Sequence, residues 1–124
     1  MQWVPFTVLN QRAGHKECRG MLYDEVSLLR LEYQLDPHDE QHRAEMKQVS
    51  IPVGDILSVY LMKGWLKSNW VGVKIVMQMT KPERFKDIPG FQQGRLELSV
   101  SKANAPLAEA FVYGLYGNGL ATPA

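Results

Sequence analysis

The sequence predicts a mainly β protein: a partly open, seven-stranded barrel capped at one end by a C-terminal helix. Three observations predict it. Apolar and polar residues alternate at period two in one segment after another between Trp3 and Ser101. Turn-forming Gly, Pro, Asp and Asn separate those segments. Only after Ser101 does the apolar spacing change to three and four residues, the mark of one amphipathic helix. Seven strands of this length laid flat would leave an apolar face in water, so they are expected to curl, with the helix plugging the open end.

Each element follows from its local pattern. Trp3 to Leu9 is the first strand, and Pro5 places it at an edge or near a strand start. A loop follows; Arg19 to Tyr23 is the second strand, and Asp24-Glu25 turns the chain. From Ser27 to Leu35, the residues Leu29, Leu31, Tyr33 and Leu35 face one way and Arg30, Glu32 and Gln34 the other. Residues 36–45 form a polar loop, and Lys47 to Pro52 is a strand with Val49 and Ile51 inward. Val53-Gly54-Asp55 makes a tight corner. Ile56 to Lys63 and Val71 to Met79 form a hairpin about the turn Gly64 to Asn69. Val59 and Leu61 share one face of its first strand, and Val71, Val73, Ile75, Met77 and Met79 one face of its second, the buried side.

A long connection runs from Lys81 to Gly94, and Arg95 to Ser101 is the last strand, with Leu96, Leu98 and Val100 inward. The helix spans about 104–116, with Leu107, Ala108, Phe111, Val112 and Leu115 as its apolar stripe. Asn104 is its expected N-cap, and Pro106 sits in the first turn, where the ring is tolerated. The reading is therefore a single domain over 1–117 and a flexible tail over 118–124.

Composition narrows the function classes. The 124 residues are 45% hydrophobic and 22% charged, in the range of an ordinary globular domain. Fourteen Lys and Arg stand against thirteen Asp and Glu, a balance that argues against nucleic acid as a partner. Cys18 is the one cysteine, so no intramolecular disulfide is available and a reducing compartment fits. With neither a secretory pattern at the N-terminus nor a long apolar run, the expected location is the cytoplasm. The sequence holds no GxSxG, no phosphate-cradling glycine loop and no zinc-ligand spacing. Cys18 has His15 three residues away without any geometry the spacing enforces. The expectation is a protein that is not an enzyme, with no catalytic residue and no cofactor.

Three stretches carry a family resemblance. SIPVGDILSV (50–59) resembles the passage between the fourth and fifth strands of bacterial pleckstrin-homology-like domains of unknown function. GMLYDEVSLLRLEYQ (20–34) resembles their second-to-third-strand hairpin, and RLELSVSKANAPLAEAFVYGL (95–115) their last strand and capping helix. The resemblance implies two near-orthogonal antiparallel sheets forming the barrel, with the helix across one end. It also implies a binding module of a bacterial cytoplasm, docking phosphoinositides, peptides or proteins. Lipid-binding members carry K-x(n)-[K/R]-x-R around the first loop. Here NQRAGHKECRG supplies Arg12, His15, Lys16 and Arg19, but Glu17 breaks the motif at a central position.

The candidate sites follow. Arg12, Lys16 and Arg19 form either an anion pocket for phosphate or lipid head groups or a solvated loop. Trp65 and Trp70, beside Lys63 and Lys67 at a hairpin tip, form either a protein interface or a plug for the barrel end. Phe85 and Phe91, with Ile88, either present an interface from the long connection or tuck beneath the barrel. His38 and His42 are four apart in DPHDEQH, yet Pro37 favours a turn and no H-E-x-x-H pattern is completed, so no metal site is expected. The favoured function is a non-enzymatic binding or scaffolding module acting through protein–protein contacts, including self-association by edge pairing into a homo-oligomer. One alternative is a peripheral membrane-surface module reading anionic lipid through Arg12, Lys16 and Arg19. The other is a small-molecule-binding or catalytic barrel that uses its interior.

Overall fold

The computed structural model describes residues 2–8, 18–25, 27–35, 45–63, 72–86, 88 and 90–117. The strands are β1 (Trp3–Val8), β2 (Cys18–Asp24), β3 (Leu28–Leu35), β4 (Glu45–Pro52), β5 (Ile56–Lys63), β6 (Gly72–Met79), the two-residue β7 (Phe91–Gln92) and β8 (Arg95–Ser101); α1 (Ala105–Gly117) follows. All belong to one antiparallel sheet in the order β4-β3-β2-β1-β8-β6-β5, with β7 paired to β8. The protein is thus mainly β with a C-terminal helix. The sheet does not close: β4 and β5 are its two edges and share no ladder among the described residues.

Connectivity nevertheless forces the sheet to curl. Six strand spacings separate β4 from β5, roughly 29 Å in a flat sheet. The last residues of β4 lie at the end where β1 begins, through the register Trp3↔Tyr23, Tyr23↔Arg30 and Arg30↔Ser50. The first residue of β5 lies at the opposite end, through Ile56↔Met79 and Gln78↔Arg95. Pro52 and Ile56 would therefore occupy diagonal corners of a flat sheet. Only Val53–Asp55 joins them, and that link reaches at most about 14 Å. The sheet folds across its diagonal, which puts one face inside.

That inner face carries the core. Val4, Leu22, Leu29, Leu31, Ile51, Val59, Ile75, Met77, Leu96 and Leu98 are each 0% exposed. Burying such side chains contributes ~1.5–3 kcal/mol apiece as an upper estimate. Val76 departs from the alternation. It is fully buried, yet it faces away from the core, in a row with Tyr60 and Glu97.

The corner between β4 and β5 is tied from three directions. The Val53 N–H donates to the Ser27 carbonyl (3.1 Å), the Thr80 N–H to the Asp55 carbonyl (2.9 Å), and Arg84 Nη1 to Asp55 Oδ2 (3.3 Å). These bonds satisfy a corner whose Asp55 is buried.

Pro5 has no N–H to donate, yet β1 lies inside the strand order. The conflict is resolved at the seam: β1 registers with β8 only at Thr7↔Ser99, below Pro5. The long connection is more ordered than its composition suggests. Pro82–Arg84 form a 3-10 turn, Phe85 and Ile88 are buried, and Phe91–Gln92 pair back onto β8. Gln93 (φ 53°) and Gly94 (φ 79°) turn this hairpin with both residues left-handed, as a type I′ turn requires.

In α1, Ala108, Phe111, Val112 and Leu115 are buried at i, i+3, i+4 and i+7 against β1, β5, β6 and β8. Leu107 was expected in this stripe, but it is 37% exposed, because it lies one residue, about 100° of rotation, off the line of Ala108. Asn104 occupies the position before the helix, where its Nδ2 donates to Ser101 Oγ at 3.2 Å. Among the described residues, no helix is long and apolar enough to cross a membrane.

Candidate functional site

The alternation of β1 decides which of its side chains reach the outer surface. Val4, Phe6 and Val8 point into the core, so Trp3, Pro5 and Thr7 point outward. Register then extends Trp3 into a row across four strands: Trp3, Tyr23, Arg30 and Ser50. Directly opposed side chains of this kind have Cβ atoms ~4.5–5.5 Å apart and interact.

Arg30 is the fixed centre of the row. Its Cζ lies 4.3 Å from the centroid of the Tyr23 ring, a cation–π distance. Arg30 Nε donates to Glu25 Oε1, and Nη1 donates to Glu32 Oε1. The hydrogen bond that Arg30 donates to Glu25 holds the guanidinium above its ordinary pKa, with electrostatic attraction to Glu25, Glu32 and Tyr23 adding to it. Glu25 is itself set by the turn, where its N–H donates to the Leu28 carbonyl (2.9 Å) and its carbonyl accepts from Ser27 (2.8 Å).

A second contact brings the helix to this row. The Asp24 N–H donates to the Gln2 carbonyl at 3.0 Å, which anchors the start of β1. The Gln2 side chain lies against Gly114; a Cβ at that position would come within 2.6 Å of Gln2 Oε1. Glycine is what permits this approach. Trp3 follows Gln2 and Tyr113 precedes Gly114, so the two exposed aromatics share one end of the molecule. Trp3 is 46% exposed and Tyr113 69%. The site is the outward row of Trp3 and Tyr23 beside a guanidinium held by carboxylates, with the exposed Tyr113 at the same end of the molecule, which is the chemistry of contact and stacking.

The residues singled out from sequence are placed as follows. Arg19 is exposed on the outer face of β2, in register with Thr7 and Gln34. Arg12, Lys16, Trp65 and Trp70 lie outside the described residues, as do His38 and His42. Phe85 belongs to the core at 6% exposure, and Phe91 packs half-buried against it. Ile88 is buried beside them in the same cluster. Cys18 is fully buried in β2. Among the described residues, no three His, Cys, Asp or Glu side chains come together as a metal would need.

Sequence reasoning passed over Trp3 and Tyr113. A signal for Trp3 was present: Val4, Phe6 and Val8 fix the inward parity of the strand, which leaves its tryptophan outside. For Tyr113 the signal was a helix with Glu109 as its single charged residue, too apolar for a solvated outer face. No protein-family model matches this chain, and neither a curated protein nor a solved structure matches it.

Proposed function

We propose that this protein is a non-enzymatic binding or scaffolding module of the cytoplasm that acts through protein–protein contacts made by the Trp3–Tyr113 strip. The carrying observation is the exposure of Trp3 (46%) and Tyr113 (69%) on one framework-held end of the molecule. Large aromatic side chains with few rotatable bonds lose little entropy on binding and commonly carry interface energy.

The resemblance to pleckstrin-homology-like domains supports the same reading. The strand order divides into two meanders, β1–β4 and β5–β8, that meet at the Thr7↔Ser99 seam. The diagonal corner link supports their crossing as two near-orthogonal sheets, with α1 over one end. The filled interior around Leu29, Ile75 and Leu96 favours contact at the outer surface over a ligand held inside. The edges are less suited to strand addition. β5 carries a register irregularity at Leu57, and β4 ends in Pro52 and bears the exposed Lys47, interruptions of the kind that protect an edge.

The test is capture of partners from a lysate of the source organism on immobilised wild-type protein and on the Trp3→Ala/Tyr113→Ala double variant. The wild type is expected to retain a protein that the double variant releases, at matched thermal stability. Identical capture profiles from the two would overturn the assignment of the strip.

A further inference from the structure

The strip is more than aromatic. Glu25 and Glu32 stand beside it against Arg30, a local charge of 1 − 2 = −1 in a chain whose net charge is +1. The surface already holds a guanidinium in a defined way, with Arg30 lying on the Tyr23 ring and donating to two carboxylates. Trp3 is the next ring along the same row, directly opposite Tyr23 and 46% exposed. A second guanidinium stacked on Trp3 would meet an indole face, with Glu25 two residues beyond the Tyr23 that opposes it. Tryptophan is the ring that attracts a cation best, and the planar guanidinium stacks where an ammonium cannot.

We infer that the Trp3 strip takes an arginine-bearing segment of a protein partner, with an arginine side chain stacked on the Trp3 indole in the field of Glu25 and Glu32. This inference rests on the contact-module reading and names the chemistry of its partner. The negative field draws a basic segment in and turns an acidic one away, which makes the binding sensitive to salt. The Glu25 and Glu32 carboxylates remain engaged with Arg30 throughout, so the attraction is through space and a direct new ion pair is not required.

The test is an NMR titration of the ¹⁵N-labelled full chain with a capped six-residue peptide alternating Arg and Gly, and with its Glu–Gly counterpart. Trp3→Phe assigns the Trp3 indole N–H among the three tryptophans. The arginine peptide is expected to shift the Trp3 indole and the amides of Tyr23, Glu25 and Arg30, and the glutamate peptide to leave them in place. Trp3→Ala is expected to weaken the arginine peptide about tenfold or more, and the charge-removing Glu32→Gln about threefold. Raising the salt from low to high concentration weakens it further. The inference is overturned if shifts fall elsewhere, if the glutamate peptide binds as tightly, or if neither variant changes the affinity. It is also overturned if the same resonances move with protein concentration alone, since a second copy would then be the occupant. Should Trp3→Ala/Tyr113→Ala release a captured partner while the arginine peptide moves nothing at Trp3, the contact module stands and the arginine-bearing partner falls.

Discussion

Gly20→Ala gives the sharpest test of the packing, because local propensity and tertiary structure predict opposite signs. Alanine in place of a strand glycine restricts the unfolded chain and would stabilise by ~0.4–1 kcal/mol where the site accepts it. This site does not. Gly20 lies on the inner face of β2, opposite Phe6 on one side and Tyr33 on the other. An added Cβ would collide with the Glu32 carbonyl oxygen, and would sit 2.8 Å from Phe6 Cζ and 2.9 Å from Tyr33 Cα. Two of those three atoms are backbone and cannot rotate aside, so the β2–β3 ladder itself has to shift. Overpacking of this kind costs ~1–3 kcal/mol. Set against the entropy gain, the net expectation is a loss of about 1.3 kcal/mol, or roughly 4–8 °C in melting temperature for a domain of this size.

The assay is urea and thermal unfolding beside Gly54→Ala as an internal control. Gly54 sits in the exposed β4–β5 corner, and a Cβ there meets nothing within 4 Å. That variant is expected to fall within ~0.5 kcal/mol of wild type. The urea midpoint of Gly20→Ala should drop with its slope unchanged. A Gly20→Ala protein that melts at or above the wild-type temperature would refute the close approach of β1, β2 and β3 at this point.

Leu98 is 0% exposed and opposes Ile75 in the β6–β8 ladder; Leu98→Ala is expected to cost ~2–5 kcal/mol by urea denaturation. At the β7–β8 turn, Gln93 holds φ 53°, a conformation asparagine adopts more readily. Gln93→Asn should therefore raise the melting temperature slightly, while Gly94→Ala at φ 79° should lower stability by ~1 kcal/mol in the same thermal scan.

Much of the fold was legible because alternation is a local signal. Val71, Val73, Ile75, Met77 and Met79 announce a buried face from their own spacing; Val71 lies outside the described residues, and the other four are buried. The corner at Val53–Asp55 was legible from its Gly and Asp, and it forms a turn. Strand order was legible only where neighbours in sequence are neighbours in the sheet. The β1–β8 seam joins the two ends of the β region, and nothing in either strand's own pattern names the other. The β7–β8 hairpin escaped notice because its turn is Gln-Gly, without the Asn-Gly or Asp-Gly that marks the type I′ class. Val76 escaped for a different reason. It is buried in an outward row with Tyr60 and Glu97, where alternation marks a solvent-facing position.

The candidate site shows the same limit more strongly. Trp3's outward direction can be read from three residues, but its place beside Tyr23 and Arg30 is a property of register between β1, β2 and β3. A slip of one residue in either ladder would put Trp3 opposite an inward-facing position and dissolve the strip. Tyr113 joins only because Gly114 leaves room for Gln2, a contact between the first described residues and the last element. Residues as far apart in sequence as Trp3, Tyr23 and Arg30 become one row through pairings that each strand alone leaves open. The core therefore determines the site at one remove. Phe6 and Tyr33, flanking Gly20 on the inner face, fix the register that arranges Trp3, Tyr23 and Arg30 on the outer one.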